Sequence, residues 1–326
     1  MKKAIGIILS LAMVLCIISA CSDNNSGNDG NSGLIKVGII NNPPDESGYR
    51  EANVKDFERV FTEDNGYDAS KFYSDNHNAQ LNAAREFIEA GVDYLLISAA
   101  SSDGWDSVLR SARDAGIRVF MFDRMINTSD DLFEAAVVSD MAFQGDLAVR
   151  WLKDQNLPSY NIVHIQGAMG TDAQIGRTAA LDREFAAGTM KKVVQESAAW
   201  DGDKAKDIVR AVIASGAEFN VIYAENDGMA EGAVAALVEA GISHGVDRDV
   251  IIMGFDANKW ALRELLAGNW NYNGQCSPFQ ASVIDEMIKK LEAGQTLSTK
   301  IVISEEKGFD ARTITQADID AYGLGD

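Results

Sequence analysis

Cysteine is scarce in this 326-residue chain, with three residues in all. Cys16 lies in an apolar segment near the N-terminus and Cys21 ends that segment, so only Cys276 belongs to the rest of the chain. With one cysteine in its body, the protein cannot form a disulfide there. The fold must therefore be stabilised by a hydrophobic core, which a body of about 290 residues can supply.

Basic residues are also few relative to acidic ones. The chain has 29 Lys and Arg against 49 Asp and Glu, which gives a formal net charge of −20. A surface of that sign repels the phosphate backbone, so we expect no nucleic acid partner. The acidic residues are spread along the predicted helices, which is typical of a solvated surface.

Signatures of common catalytic and metal sites are missing too. The histidines His77, His164 and His244 have no partners at metal-ligand spacing, and we interpret them as structural or exposed. No dinucleotide-binding motif follows any strand, and the isolated DGD at 201–203 is interpreted as a turn rather than a calcium site. We predict no cofactor and no metal. Paired carboxylates in a cleft are a possible mark of a glycosidase, but here they alternate with Arg and Asn, so we predict that the protein is not an enzyme.

The first 33 residues have the pattern of an exported and anchored protein. Lys2 and Lys3 precede an uncharged apolar run that ends in ISAC at 18–21. The run is short for a spanning helix, which needs about 20 apolar residues. ISAC resembles a lipobox, which predicts a signal peptide over 1–20 and lipidation of Cys21; an ordinary signal peptide or membrane anchor is the alternative. Residues 21–33 are predicted to be a flexible tether.

From Leu34 onward, apolar runs of strand length alternate with helical patterns, which indicates βαβ crossovers and parallel sheets. The series restarts near residue 161, so we predict an α/β protein with two doubly wound parallel-sheet lobes. A further helix and strand near the end indicate that hinge crossovers join the lobes more than once. We place the N-terminal lobe at 34–139 plus 277–302, and the C-terminal lobe at 140–276 plus 303–326.

The stretch at residues 116–127 contains an apolar run, residues 119–122, that stops abruptly at Asp123 and Arg124. This run is apolar at successive positions, which is typical of a central parallel strand covered on both faces. Ligands of open parallel sheets bind beyond the carboxyl ends of the strands, whereas unpaired charges in a core cost several kcal/mol each. Asp123 and Arg124 are therefore either a buried ion pair that closes the strand or part of a ligand site.

Most other predicted strands also lead into polar or aromatic side chains, in both series. The candidate residues at these ends are Glu46, Tyr49, Arg50, Ser98, Asp123, Arg124, Arg177, Trp200, Asn226 and Asp256. Carboxylate, amide and guanidinium groups suit sugar hydroxyls, which both donate and accept hydrogen bonds. The rings of Tyr49 and Trp200 can stack on a sugar or pack in the core. Asp227 is interpreted instead as the N-cap of the helix near Met229.

Several of these residues lie in motifs that resemble the periplasmic binding proteins of the ribose/galactose type. The motifs are ESGYR (46–50), DGW (103–105), FDR (122–124), QG (166–167), YAENDGM (223–229) and GFD (254–256). They occur in the family's order and cover essentially all of 34–305. The combination of ESGYR with the later GW and DR most resembles the galactofuranose-binding members. The resemblance implies two α/β lobes that bind a monosaccharide between them and deliver it to an ABC importer.

The resemblance also implies roles for single residues. The residues expected to contact the sugar are Tyr49, Arg50, Asp123, Arg124, Arg177, Asn226 and Asp256, with Trp200 as the aromatic side chain of the second lobe. Tyr49 stands where galactofuranose-binding members tend to have Trp. Cys276 lies near the glutamine of ribose-binding members, and Gln275 beside it joins the predicted site.

The expected ligand is galactofuranose, galactose or a pentose, and the expected partner is an ABC permease in the membrane. A sugar-sensing subunit of a membrane sensor kinase is the alternative, because both kinds of protein would use the same closure. We expect a monomer outside the cytoplasm, either periplasmic or held on the outer face of the cytoplasmic membrane by the lipid on Cys21 alone.

Overall fold

The computed structural model describes residues 33–325. The predicted signal peptide, Cys21 and all but the last residue of the predicted tether lie outside the described residues. From Leu34 onward the chain forms one compact unit. Within the described range, no helix has both the length and the apolar character needed to cross a membrane.

The described residues form parallel-sheet strands separated by helices. The strands are β1 Ile35–Asn41, β2 Tyr67–Tyr73, β3 Tyr94–Ile97, β4 Arg118–Asp123, β5 Ala135–Val138, β6 Asn161–Gln166, β7 Lys191–Ser197, β8 Val221–Ala224, β9 Ile251–Asp256, β10 Tyr272–Gln275, β11 Ile301–Ile303 and β12 Gly308–Asp310. The helices are α1 Gly48–Val60, α2 His77–Glu89, α3 Asp106–Asp114, α4 Met141–Asp154, α5 Asp172–Ala187, α6 Gly202–Ser215, α7 Asp227–Glu239, α8 Lys259–Leu266, α9 Ala281–Glu292 and α10 Gln316–Tyr322.

The strands form two six-stranded sheets, which confirms the predicted α/β fold with two parallel-sheet lobes. The first sheet has the order β11-β5-β4-β3-β1-β2 and the second β12-β10-β9-β8-β6-β7. All neighbouring strands are parallel except β12, which runs antiparallel to β10. The order of the first five strands is the same in both sheets. The fourth strands of the two series, β4 and β9, therefore occupy equivalent positions.

The chain passes between the two sheets three times: from β5 to β6, from β10 to β11 and from β11 to β12. We call these segments the first, second and third crossover. We propose that the lobes divide near these crossovers, with the N-terminal lobe at 34–139 plus 277–302 and the C-terminal lobe at 140–276 plus 303–326. The boundary after residue 302 falls one residue short of the end of β11, because Ile303 still pairs with Val138 of the first sheet.

The central strand β4 shows why the sheets are stable. Val119, Phe120, Met121 and Phe122 are all at most 2% exposed, because helices cover both faces of the sheet. Each large apolar side chain buried in this way contributes roughly 1.5–3 kcal/mol. The continuous apolar run is thus a strand covered on both faces, as its sequence predicts, and it delivers Asp123 to the edge of the sheet.

Candidate functional site

A small cavity of about 20 Å³ lies at the carboxyl ends of the strands, between the two lobes. That is room for about one water molecule, so a larger ligand requires the lining side chains to move apart. Its lining comes from both lobes and from the second crossover: Glu46, Ser47, Tyr49, Asp123, Arg124, Met141, Ala173, Arg177, Trp200, Asn226, Asp256 and Cys276. The structure thus brings together side chains that are far apart in the sequence.

Most of the predicted site residues line this cavity. Those that do are Glu46, Tyr49, Asp123, Arg124, Arg177, Trp200, Asn226 and Asp256. Arg50 and Ser98 lie behind the lining and contact Asp123. Gln275 is not among the lining residues, and its backbone N–H donates to the carbonyl oxygen of Lys307. Whether these residues bind a ligand stays a prediction.

Sequence reasoning missed four lining residues, namely Ser47, Met141, Ala173 and Cys276. Ser47 caps α1 by accepting from the backbone N–H of Arg50, and Met141 and Ala173 lie in the first turns of α4 and α5. Helices that begin beyond the carboxyl ends of parallel strands lie at the same edge as the strand ends. The start of a helix directly after a predicted strand was therefore the sequence signal that could have identified such lining residues.

Asp123 is the centre of a buried network in the N-terminal lobe. Its Oδ2 accepts hydrogen bonds from Arg50 Nη2 at 2.6 Å and from Ser98 Oγ at 2.8 Å, and its Oδ1 accepts from the Tyr49 hydroxyl at 2.7 Å. Arg124 Nε lies further away, at 3.6 Å from Oδ2. Burial raises the pKa of Asp123, but Arg50 and Arg124 outweigh it, so the pKa is lowered and the carboxylate is charged.

The two arginines of this lobe have different surroundings. Arg50 is fully buried, and it also donates from Nε to Glu46 and from Nη1 to Asn41. Arg124 donates to the same Glu46 carboxylate at 3.1 Å and lines the cavity, with its guanidinium 6.0 Å from the ring centre of Trp200. Arg50 therefore holds Asp123 and Glu46 in place, whereas Arg124 faces the cavity.

Arg177 is the corresponding cation of the C-terminal lobe. Its Nε donates to Gln144 Oε1 at 2.9 Å, and its Nη1 donates to the carbonyl oxygen of Glu225. Its Nη2 lies 3.5 Å from Asp256 Oδ1, and its guanidinium lies 4.7 Å from the ring centre of Phe255. The guanidinium is thereby held on several sides while it lines the cavity.

Asp256 has far fewer partners than Asp123, although the two residues end the equivalent strands β9 and β4. Among the described residues, its side chain accepts only the long hydrogen bond from Arg177. Burial raises the pKa of Asp256 well above its usual range, and the charge of Arg177 offsets this only in part. A carboxylate can accept about four hydrogen bonds. Asp256 therefore has unused acceptor capacity in a cavity that excludes most water.

Strained backbone is concentrated at the same edge. Seven non-glycine residues of the described range have positive φ, and five of them lie at these strand ends: Asp123 at 64°, Ala199 at 52°, Trp200 at 70°, Asp256 at 108° and Ala257 at 65°. Such conformations cost about 1–3 kcal/mol each and occur most often at functional sites. The strain directs the side chains of Asp123, Trp200 and Asp256 to the cavity.

Trp200 is packed tightly and has an unpaired N–H. The residue is 8% exposed, and its Nε1 has no hydrogen-bond partner among the side chains and backbone described here. Its ring lies against Gly167, where an added Cβ would come within 1.9 Å of Trp200 Cη2. A buried N–H without an acceptor costs about 1–3 kcal/mol. A ligand oxygen in the cavity would remove that cost.

Asp227 is not the N-cap of α7, so that prediction is wrong. Asn226 is the cap, because its Oδ1 accepts from the backbone N–H of Met229 at 2.8 Å. The Asp227 carboxylate is buried and accepts hydrogen bonds from the backbone and side chain of Asn258 and from Asn273 Nδ2. Burial raises its pKa to about 7, and those hydrogen bonds only moderate the shift. Asn and Asp are equally good caps, so sequence alone could not choose between them.

Glu46 and Trp200 separate the cavity from a wider cleft between the lobes, because both residues line both spaces. One comes from each lobe, and Arg124 contacts both of them. The cleft is therefore the wider space that adjoins the cavity at these two side chains. No group of three or more His, Cys, Asp or Glu within 33–325 is arranged to hold a metal ion.

A sequence profile described as a periplasmic binding protein domain matches residues 37–296. The chain belongs to the periplasmic binding protein family. The resemblance inferred from the motifs is thereby confirmed. Membership in this family implies a location outside the cytoplasm.

Curated relatives are similar over most of their length. The fructose import binding protein FruE of Bifidobacterium longum is 29% identical over 324 residues, which cover 97% of this chain and 96% of FruE. The galactofuranose-binding protein YtfQ of Escherichia coli is 28% identical over 232 residues, or 69% and 72% of the two chains. The ribose import binding protein RbsB of Bacillus subtilis is 27% identical over 277 residues, or 81% and 85%. Their names describe binding proteins rather than enzymes.

Solved structures agree with the fold. A galactofuranose-binding protein superposes with a TM-score of 0.81 at 26% identity, covering 88% of this chain and 98% of the other. The arabinose-binding component of an ABC transporter from Shewanella sp. ANA-3, bound to L-arabinofuranose, gives 0.79 at 26% identity, covering 88% and 95%. A Mycobacterium smegmatis protein in complex with β-D-fucofuranose gives 0.79 at 27%, covering 88% and 93%.

Proposed function

We propose that this protein captures a monosaccharide in the cavity between its lobes and delivers it to an ABC importer. The observation that carries the proposal is the unused hydrogen-bonding capacity in the cavity. Asp256 accepts one long hydrogen bond, and Trp200 Nε1 donates none among the described residues. Adjacent sugar hydroxyls would donate to Asp256, and their oxygens would accept from Trp200, Arg124 and Arg177. Charge-assisted bonds of this kind are stronger than neutral ones.

We further propose that the sugar is bound in its five-membered, furanose ring form. Support comes from the relatives, among them a galactofuranose-binding protein and two structures that hold arabinofuranose and fucofuranose. Galactofuranose and pentoses remain the expected ligands, and the similarity to FruE adds fructose to the candidates.

We also propose that Cys21 carries a lipid which holds the monomer at the membrane, as the sequence ISAC at 18–21 indicates. Cys21→Ala should then release the protein from the membrane fraction and leave sugar binding unchanged. Membrane association that survives the substitution would contradict the lipid anchor without affecting the binding proposal.

A thermal-shift screen of the chain against pentoses and hexoses tests the binding proposal. Each sugar should be supplied free and also as its methyl furanoside and its methyl pyranoside, because the methyl group locks the ring size and the pair forms a matched control. A sugar at 100 times its Kd should add about 2.7 kcal/mol to the unfolding free energy. No shift with any sugar would contradict sugar binding, and shifts with pyranosides alone would contradict the furanose form.

A further inference from the structure

Glu306 lies where the three crossovers between the lobes meet. It belongs to the third crossover, between β11 and β12. Its Oε1 accepts a hydrogen bond from the Ser139 hydroxyl of the first crossover at 2.6 Å and from the backbone N–H of Ser277 in the second at 2.8 Å. A single carboxylate thus joins all three segments that must change their mutual arrangement when the lobes open.

The other carboxylate oxygen of Glu306 is connected to the cavity through two successive hydrogen bonds. Glu306 Oε2 accepts from Gln144 Nε2 at 2.5 Å, and Gln144 Oε1 accepts from Arg177 Nε at 2.9 Å. Gln144 and Arg177 are each 2% exposed, so water does not compete for these bonds. Arg177 lines the cavity and faces Asp256. The crossovers are therefore connected to the cavity by a chain of three side chains.

The direction of this hydrogen-bond chain is fixed by chemistry. The guanidinium of Arg177 can only donate, and an ionised carboxylate at 306 can only accept. The amide of Gln144 therefore has one orientation that satisfies both neighbours, with its oxygen towards Arg177 and its nitrogen towards Glu306. An amide at position 306 would place one N–H group against another and leave a buried donor unpaired.

We propose that Glu306 and Gln144 are positioning residues that couple the arrangement of the crossovers to the orientation of Arg177 in the cavity. Arg177 is then held in its binding position when the crossovers are arranged as in the closed protein. The ligand readout of this inference rests on the proposed sugar-binding function. Neither Glu306 nor Gln144 lines the cavity, so a direct contact with the sugar does not explain an effect on affinity.

Two single variants and their combination test the coupling in the full chain. Glu306→Gln should interrupt the hydrogen bonds that link position 306 to Arg177, and Gln144→Glu should place two carboxylates in contact. The combination of both changes restores every donor and acceptor pair: the new amide oxygen at 306 accepts from Ser139 and Ser277, its nitrogen donates to position 144, and the new carboxylate there accepts from Arg177. Formal charge is also conserved in the combined variant.

Calorimetric titration with a sugar from the thermal-shift screen is the first readout. Glu306→Gln should weaken binding about tenfold, which corresponds to roughly 1.4 kcal/mol, and the combined variant should recover most of that loss. A merely structural role predicts lower melting temperatures with unchanged affinity. Wild-type affinity in Glu306→Gln, or a combined variant that binds no better than Glu306→Gln alone, would overturn the proposal. If Glu306→Gln does not fold, Gln144→Met should show the same loss of affinity, and retained affinity there would likewise overturn it.

Distances between spin labels on the two lobes give a second readout that needs no sugar. Glu306→Gln should broaden the interlobe distance distribution of the ligand-free protein, and the combined variant should narrow it again. If no sugar binds the wild type, the proposed function fails, but this measurement still decides the role of Glu306. Identical distributions in all variants would overturn the coupling.

Discussion

Asp123 and Asp256 end equivalent strands, but they differ in how many hydrogen-bond donors surround the carboxylate. Asp123 is surrounded by donors from Arg50, Tyr49 and Ser98 and keeps its charge. Asp256 has one long contact and a raised pKa. The first aspartate therefore stabilises the lobe that presents Arg124, and we propose that the second provides acceptors for a ligand.

Substitution of each aspartate by asparagine should separate these roles. Asp123→Asn leaves the buried charge of Arg50 without its carboxylate, and breaking a buried pair in this way costs about 3–5 kcal/mol of stability. Asp256→Asn should leave the ligand-free melting temperature nearly unchanged and weaken sugar binding at least about tenfold, since hydrogen bonds to charged groups contribute roughly 1.5–3 kcal/mol. Melting curves and calorimetry measure both effects. A large melting-temperature drop in Asp256→Asn with intact affinity would contradict this division.

Sugar binding should release protons, because the pKa of Asp256 is raised in the ligand-free protein. Hydroxyls that donate to the carboxylate favour its ionised form and lower this pKa, so affinity should increase as the pH rises above the usual titration range of an aspartate. Calorimetry in two buffers of different ionisation enthalpy measures the release. The buffer dependence should disappear in Asp256→Asn. Equal enthalpies in both buffers for the wild type would contradict the predicted proton release from Asp256.

Among the secondary-structure elements, long buried strands were predictable and short or interrupted elements were not. The apolar runs of β4 and β9 end in aspartate where the sequence places them. Helix α4 contains Gly145, a poor helix former, yet an added Cβ there would lie 3.1 Å from the Cα of Arg177 in α5. Close packing between the two helices therefore overrides a poor helix former. Strand β12 has three residues and α10 has seven, too few for a periodic signal.

The composition of the site was predictable, but its internal pairing was not. Strand ends and helix starts indicate which residues lie at the edge of a parallel sheet. They do not indicate that Asp123 pairs mainly with Arg50, 73 positions away, or that Glu306 contacts Gln144, 162 positions away. Such pairs depend on how the lobes and crossovers are arranged in space, and a single sequence carries no local signal for that arrangement.

The position of the Trp200 ring, in the loop after β7, requires a residue without a side chain at Gly167, in the loop after β6. An added Cβ at Gly167 would lie 1.9 Å from Trp200, so Gly167→Ala must displace the indole ring. We expect affinity to fall roughly threefold to tenfold, as for the loss of an aromatic contact worth about 0.5–1.5 kcal/mol. Calorimetry against the wild type measures the change. On a Trp200→Phe background the same substitution should cost little, and an equal loss on both backgrounds would show that Gly167 acts independently of the ring.

For the whole molecule, direct contacts hold the two lobes together in the described arrangement. The backbone N–H of Met125 donates to Asp172 Oδ2 at 2.9 Å, and that of Ser102 donates to the carbonyl oxygen of Gly170 at 3.1 Å. Each pair joins one proposed lobe to the other. The structure is therefore a closed arrangement, and a ligand that contacts both lobes would add to contacts that already exist.

Closure should depend on the absence of a side chain at Gly48. An added Cβ at this position would lie 2.1 Å from Asn258 Oδ1 of the opposite lobe. Gly48→Ala is compatible with the start of α1 but keeps the lobes apart, so affinity should fall about tenfold or more without loss of melting temperature. Asn258→Ala removes the oxygen and should relieve the effect of Gly48→Ala in the double variant. Additive losses of affinity in that variant would contradict a closure defect.

The central claim, that a sugar is held between two closing lobes, is tested most directly by small-angle X-ray scattering. The radius of gyration should be measured in the absence of sugar and at saturating concentration of a sugar identified in the thermal-shift screen. Hinge closure around a ligand makes a two-lobed protein more compact. We predict a smaller radius of gyration with sugar than without it. Superimposable scattering curves, recorded with a sugar that calorimetry shows to be bound, would contradict the claim.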